Sequence, residues 1–256
     1  MAGAVETKLS VNLNKVALLR NQRDVGYPSV PDAARLVVQA GAHGITVHPR
    51  PDERHIRRTD VTELAALIRD EFGPTIEYNI EGYPAPEFVA LIGEVRPDQV
   101  TLVPDAPDQR TSDHGWDLAR EGERLRSIIT ALHASGARVS LFLDPEPAQV
   151  PGVKETGADR IELYTGPYAH AYGRPGARAL LDRYVRTAEA AAQAGLGINA
   201  GHDLNLDNLP RFVHAIPQLA EVSIGHAITA DALRIGFPAA VESYLRALRR
   251  NSLRVH

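Results

Sequence analysis

Short β-branched and apolar runs recur along this chain at intervals that leave room for one helix between each and the next. They are LSVNL (9–13), GITVH (44–48), TIEYN (75–79), QVTLV (99–103), RVSLFL (138–143), RIELY (160–164), LGINA (196–200) and EVSIG (221–225). As near-continuous apolar runs they read as strands buried on both faces. The segments between them carry helical spacing. VPDAARLVVQAG opens on Pro31 and Asp32 and closes on Gly41, the start and stop chemistry of a helix. DVTELAALIRDEFG, APEFVALIGEV, GWDLAREGERLRSIITALHASG and ARALLDRYVRTAEAAAQAG repeat the pattern, and EPAQVPGVKETG and LNLDNLPRFVHAI are shorter versions. ITADALRIGFPAAVESYLRALRR breaks at Gly236 and Pro238 into a short helix and a longer one. This alternation predicts an α/β fold, a (β/α)8 TIM barrel with a short extra helix after strand eight, formed by residues 1–256 as one domain. An open doubly wound sheet is the rival. It carries a glycine-rich turn after its first strand, and VNLNKVALLRNQR has none.

The apolar pattern stops where each strand stops. GITVHPRPDERHI turns within a few residues from Ile45 and Val47 to His48, Arg50, Arg54 and His55. Barrel enzymes work at the C-terminal rim of the strands, so the residues there are the candidates for chemistry. The predicted ends carry Asn12 and Asn14, His48 and Arg50, Glu77 and Asn79, Asp144, Glu162, Asn199 with His202, and Gly225 with His226. Asp144 is explained as a turn former or helix cap, and His43, His133, His170, His214 and His256 as solvated side chains. A barrel mouth would bring Glu77, Glu162, His48 and His202 into one pocket, an assembly too costly to maintain for stability alone.

Two features point to phosphate. Gly225 precedes the extra helix after strand eight, and NAGHDLN follows strand seven; these loops form the common phosphate cradle of such barrels. Arg50 and His55 offer a second cationic cluster, with Arg23 after strand one and Arg110 and Thr111 on the long segment PDAPDQRTSDHGWD. Two separated anion sites suit two phosphorylated substrates or one bisphosphate.

Composition removes other classes. Lys and Arg total 28 against 32 Asp and Glu, a net charge of −4, so no general positive field attracts nucleic acid. The absence of cysteine excludes disulfides, thiolate nucleophiles and zinc–thiolate sites. No HxH or HExxH pattern suggests a metal. No apolar run has the roughly 18 residues of a membrane span, and MAGAVETKLSVNL has no signal-peptide pattern.

VNLNKVALLRNQR, GITVHPRPDERHI, SLFLDPE, IELYTGPYA, NAGHDLN and IGHAI, in this order, resemble the pyridoxine 5′-phosphate synthase family of vitamin B6 biosynthesis. The resemblance runs from about residue 8 to the last helix. It implies a cytoplasmic, oligomeric barrel enzyme without metal or organic cofactor. Its reaction condenses 3-amino-2-oxopropyl phosphate with 1-deoxy-D-xylulose 5-phosphate, giving pyridoxine 5′-phosphate, phosphate and water. Carried onto this chain, it makes His48, Glu77 and His202 the acid/base groups and Glu162 the transition-state stabiliser. Asn12, Arg23, Asp203, Gly225 and His226 would hold the amino ketone phosphate; Arg50, His55 and Thr111 would hold the other. The chain departs from the family's usual Asn-x-Asp-His by reading Asn14 and Lys15, which puts the contacts of these two with substrate in question. It also has Asp203 where glycine is frequent. Two other readings stay open: a phosphosugar isomerase or aldolase, the latter with Lys15 as its Schiff-base lysine, and a barrel that binds phosphate without turnover.

Overall fold

Alternation inside each strand decides where the core lies. In the computed structural model, which describes residues 5–105, 109 and 111–249, the strands are β1 (Lys8–Asn12), β2 (Gly44–Val47), β3 (Glu77–Gly82), β4 (Gln99–Leu102), β5 (Arg138–Leu143), β6 (Arg160–Tyr164), β7 (Gly197–Gly201) and β8 (Leu219–Ile224). They are parallel, pair in chain order, and close where β8 pairs with β1. The expectation of strands apolar on both faces is corrected here. Leu9, Val11, Ile45, Tyr78, Ile80, Val100, Leu141, Ile161 and Val222 join the buried apolar cluster shared with the helices. The alternate positions are polar and meet one another inside the barrel, between neighbouring strands and across it. Ser10 contacts Thr46 at 2.7 Å, Thr101 donates to Asn79 at 3.2 Å, and Asn199 of β7 donates to Gln99 of β4 at 3.3 Å. Such an interior stays folded because its buried polar groups find partners.

Around the strands lie α1 (Asn14–Arg20), α2 (Val30–Gln39), α3 (Arg58–Leu67), α4 (Pro86–Val95), α5 (Leu118–His133), α6 (Val150–Thr156), α7 (Gly166–Ala171), α8 (Ala177–Gln193), α9 (Leu209–Ala215), α10 (His226–Ile235) and α11 (Phe237–Leu248). The break at Gly236 falls between α10 and α11 as expected, at a φ of 80° that glycine adopts without strain. The short helices α1 and α7 were not expected from the sequence. α1 lacks a capping side chain and an acidic first turn, and α7 is only six residues long, so neither carries a strong start signal.

One buried ion pair fixes the loop that follows β2. Arg20, at the end of α1, pairs with Asp60 in the first turn of α3 and donates to the His55 carbonyl at 3.1 Å. Asn21 donates to the same carbonyl at 2.8 Å. Asp60 also accepts from the Arg57 amide at 2.7 Å. Both partners are more than nine-tenths buried. Arg20→Ala would leave Asp60 charged and unpaired, so a loss of about 3–5 kcal/mol is expected in urea unfolding.

Candidate active site

The strand ends converge on a cavity of about 510 Å³ at the C-terminal rim, lined by residues of β1, β3, β6 and β8 and of the segments that follow β1, β2, β4, β7 and β8. Of the residues expected there, Asn12, Asn14, Lys15, His48, Arg50, His55, Thr111, Glu162, His202, Asp203, Gly225 and His226 all line it. Arg110 lies outside the described residues.

Two expectations are corrected. Glu77 is the first residue of β3, at the opposite end of the barrel, where it pairs with Arg138 of β5 at 2.6 Å. The strand was read as ending at Asn79, but it continues through Ile80 and Glu81 to Gly82. Inward positions alternate, so Glu77, Asn79 and Glu81 face the same interior, and Glu81 is the one that reaches the mouth. Arg23 follows α1 in a turn, is exposed, and does not line this cavity.

Glu81 is held by its neighbours. Asn12 donates to its Oε2 at 3.3 Å, Ser223 to its Oε1 at 3.5 Å, and His48 Nδ1 stands 3.9 Å from Oε2. Asn14 is turned away from a pure substrate role: its Oδ1 accepts the His48 backbone N–H at 2.9 Å, and its own N–H donates to Asn12 Oδ1 at 3.0 Å. The two asparagines thus link the acid of β3 to the imidazole that follows β2. His202 is fixed by ring packing, with the Phe142 and Tyr164 centroids 5.3 and 5.5 Å away. Its φ is 80° and that of Asp203 is 57°. The left-handed region tolerates His and Asp better than most residues with a Cβ, which explains how aspartate stands where glycine is frequent.

Burial inverts the usual charge states. Burial first, then the Asp105 carboxylate, push Glu81 up to about 8. Glu162, almost fully buried, is raised well above the carboxylate range by burial and then by Glu81. His48 is held far below its ordinary value by burial and by Arg50. Burial and Arg50 bring His55 down to about 4, and burial lowers His202. Near neutral pH the mouth therefore holds neutral carboxylic acids beside neutral imidazoles, which is the equipment for proton transfer in both directions.

Gly201 leaves the space that Glu162 occupies: a Cβ there would stand 2.3 Å from Glu162 Oε1. Gly201→Ala is expected to displace the carboxyl and lower kcat at least about tenfold, on the scale of losing one positioned proton donor. Circular dichroism should remain that of the wild type.

Anions have two places to sit. At one side, Gly225 caps α10 and lines the cavity with His226 and Ala227 of the helix's first turn, the end of a helix that favours an anion. At the other, Arg50, Arg54 and His55 gather with Lys15, and Thr111 closes the rim. Among the described residues, no group of three His, Asp or Glu side chains is arranged to hold a metal ion.

Comparison with known proteins identifies the family. The sequence model of the family described as "Pyridoxal phosphate biosynthesis protein PdxJ" matches residues 9–250. A pyridoxine 5′-phosphate synthase of Mesorhizobium japonicum is 56% identical over 242 residues, covering 94% of this chain and 98% of the relative. The same-named protein of Albidiferax ferrireducens is 55% identical over 247 residues, covering 94% and 97%. Among solved structures, tryptophan synthase from M. tuberculosis superposes with a TM-score of 0.61 at 14% identity, covering 95% of this chain and 94% of that one. Phosphoribosyl anthranilate isomerase gives 0.56 at 12%, covering 95% and 98%. Likeness at such identity speaks to the barrel alone.

Proposed function

The chain belongs to the PdxJ family of pyridoxal phosphate biosynthesis proteins, and on that premise we propose that it condenses 3-amino-2-oxopropyl phosphate with 1-deoxy-D-xylulose 5-phosphate. The products are pyridoxine 5′-phosphate, inorganic phosphate and water. The observation that carries this reading is the placement of Glu81 and His48, 3.9 Å apart, in one mouth with Gly225 and His226 at one side and Arg50 and His55 at the other.

Joining the amine to the ketone expels water and needs an acid at the carbonyl oxygen. Enolisation, loss of phosphate and ring closure need a base on one side of the intermediate and an acid on the other. Glu81 is the donor at the first step and, once ionised, a base; His48 and His202 are neutral bases on facing sides of the cavity. Glu162, neutral and buried at the floor, donates a hydrogen bond to developing negative charge. The amino ketone phosphate sits at Gly225 and His226, with Asn12 and the Asp203 loop around it. The deoxyxylulose phosphate sits at Arg50, His55 and Thr111. Lys15, which has no ion-pair partner among the described residues, adds a cation to that side.

We further place the reaction in the cytoplasm, in a homo-oligomer, without metal or organic cofactor. The cysteine-free sequence supports the compartment. Exposed Leu19, Val25 and Tyr27 at and after α1 support a second copy covering them. No helix among the described residues is long and apolar enough to cross a membrane.

The test is direct. Purified protein given both substrates should form pyridoxine 5′-phosphate, with one inorganic phosphate released per product. Phosphate release when the amino ketone is omitted would contradict the condensation. Borohydride trapping of the ketose phosphate on Lys15 would instead favour an aldolase.

A further inference from the structure

Arg50 is almost fully buried in the wall of the cavity, and buried Asp105, beyond the end of β4, forms an ion pair with it. The same Asp105 oxygen accepts from Ser112 Oγ at 2.7 Å. Arg50 Nη1 also donates to the Gln109 carbonyl at 3.1 Å. These partners occupy one edge of the guanidinium. With five N–H donors in a rigid fork, Arg50 keeps others for an anion in the mouth.

The arrangement answers a problem of competing carboxylates. Glu81 lines the same cavity as Arg50. A guanidinium free to swing would pair with Glu81, drawing it into the ionised form and withdrawing both groups from their tasks. We propose that Asp105 is a positioning residue, which reserves Arg50 for the substrate phosphate by holding it away from Glu81. Ser112, beside Thr111, ties the far rim of the cavity to the same carboxylate. Asp105 itself does not line the active cavity. It borders a neighbouring one of about 420 Å³, with His48 and Arg50 as the shared wall.

The inference rests on the reading of Arg50 as a phosphate ligand, and two probes keep the failures apart. Calorimetry with 1-deoxy-D-xylulose 5-phosphate, and with inorganic phosphate, is run on wild type, Asp105→Asn, Arg50→Ala and the double variant. Asp105→Asn should weaken binding about tenfold or more, whereas in the Arg50→Ala background it should change nothing further. The alkaline limit set by Glu81 gives the second readout. The groups that face it are His48, Arg50, Asp105, Glu162 and Glu221, with Asn12 and Ser223 as neutral partners. Loss of the Asp105 charge by itself lowers the alkaline limit of kcat/KM; release of Arg50 toward Glu81 adds to this, so Asp105→Asn should shift the limit further in the wild-type background than in Arg50→Ala, and Asp105→Glu should restore it. A purely structural Asp105 would lower the melting temperature and the active fraction, leave affinity as in wild type, and give the same pH shift whether or not Arg50 is present. That result, or equal losses in both backgrounds, overturns the inference. Wild-type protein that binds neither probe would overturn the reading of Arg50 instead.

Discussion

Glu81→Gln is expected to lower kcat by about 10²–10⁴-fold, the usual loss of a positioned acid or base, with the fold intact. Glutamine can still accept from Asn12, and can donate its amide N–H to the Ser223 hydroxyl, but has no acidic proton to give. Glu77→Gln is the internal control. That residue belongs to a charged group at the other end of the barrel, with Arg138, Arg160 and Glu221. Burial opposes its ionisation, yet Arg138 holds its carboxyl below the usual range. The change at Glu77 should cost about 1–3 kcal/mol in urea unfolding, less than a fully buried pair because Arg138 is part-exposed, and leave turnover unchanged. Equal kinetic losses at both positions would remove the distinction between the two ends.

His48→Ala carries the second large effect, again about 10²–10⁴-fold in kcat. The imidazole is neutral across the working range, so it is not expected to set the pH profile. Glu81 sets it instead. Its proton is present below about 8 and lost above, so kcat/KM should fall on the alkaline side with an apparent pKa near that value. Rate measurements from pH 6 to about 9.5 would detect this, and the fall should vanish in Glu81→Gln. A wild-type alkaline limit that persisted unchanged in Glu81→Gln would assign it to another group.

The sequence shows the barrel clearly because each strand is short, β-rich and followed by helical spacing, and because Gly236 and Pro238 mark the last break. It shows most of the mouth as well, since His48 and His202 directly follow strands that composition marks sharply and Glu162 is the lone acid within RIELY. It misplaces the acid because TIEYNIEG has no boundary inside it. Glu77, Asn79 and Glu81 share one face, and only the hydrogen-bonded length of β3 tells which of them reaches the rim. The alternation Tyr78, Ile80 against Asn79, Glu81 was the available signal, with Gly82 and Pro84 as the true stop. Arg23, a ligand by the family resemblance, is exposed and does not line this chain's cavity, while the buried Arg20 nearby holds the loop. Asp105 and Ser112 were invisible because their partner, Arg50, is distant in sequence and meets them only across strand ends.

The central claim is that two anions are bound at the C-terminal rim with the reacting carbons between Glu81 and His48. A crystal structure of the protein with phosphate or a bisubstrate analogue tests it most directly. One anion is expected on the Gly225 and His226 amides and the other against Arg50 and His55. Density instead beside Arg138 and Arg160, with an empty rim, would contradict it.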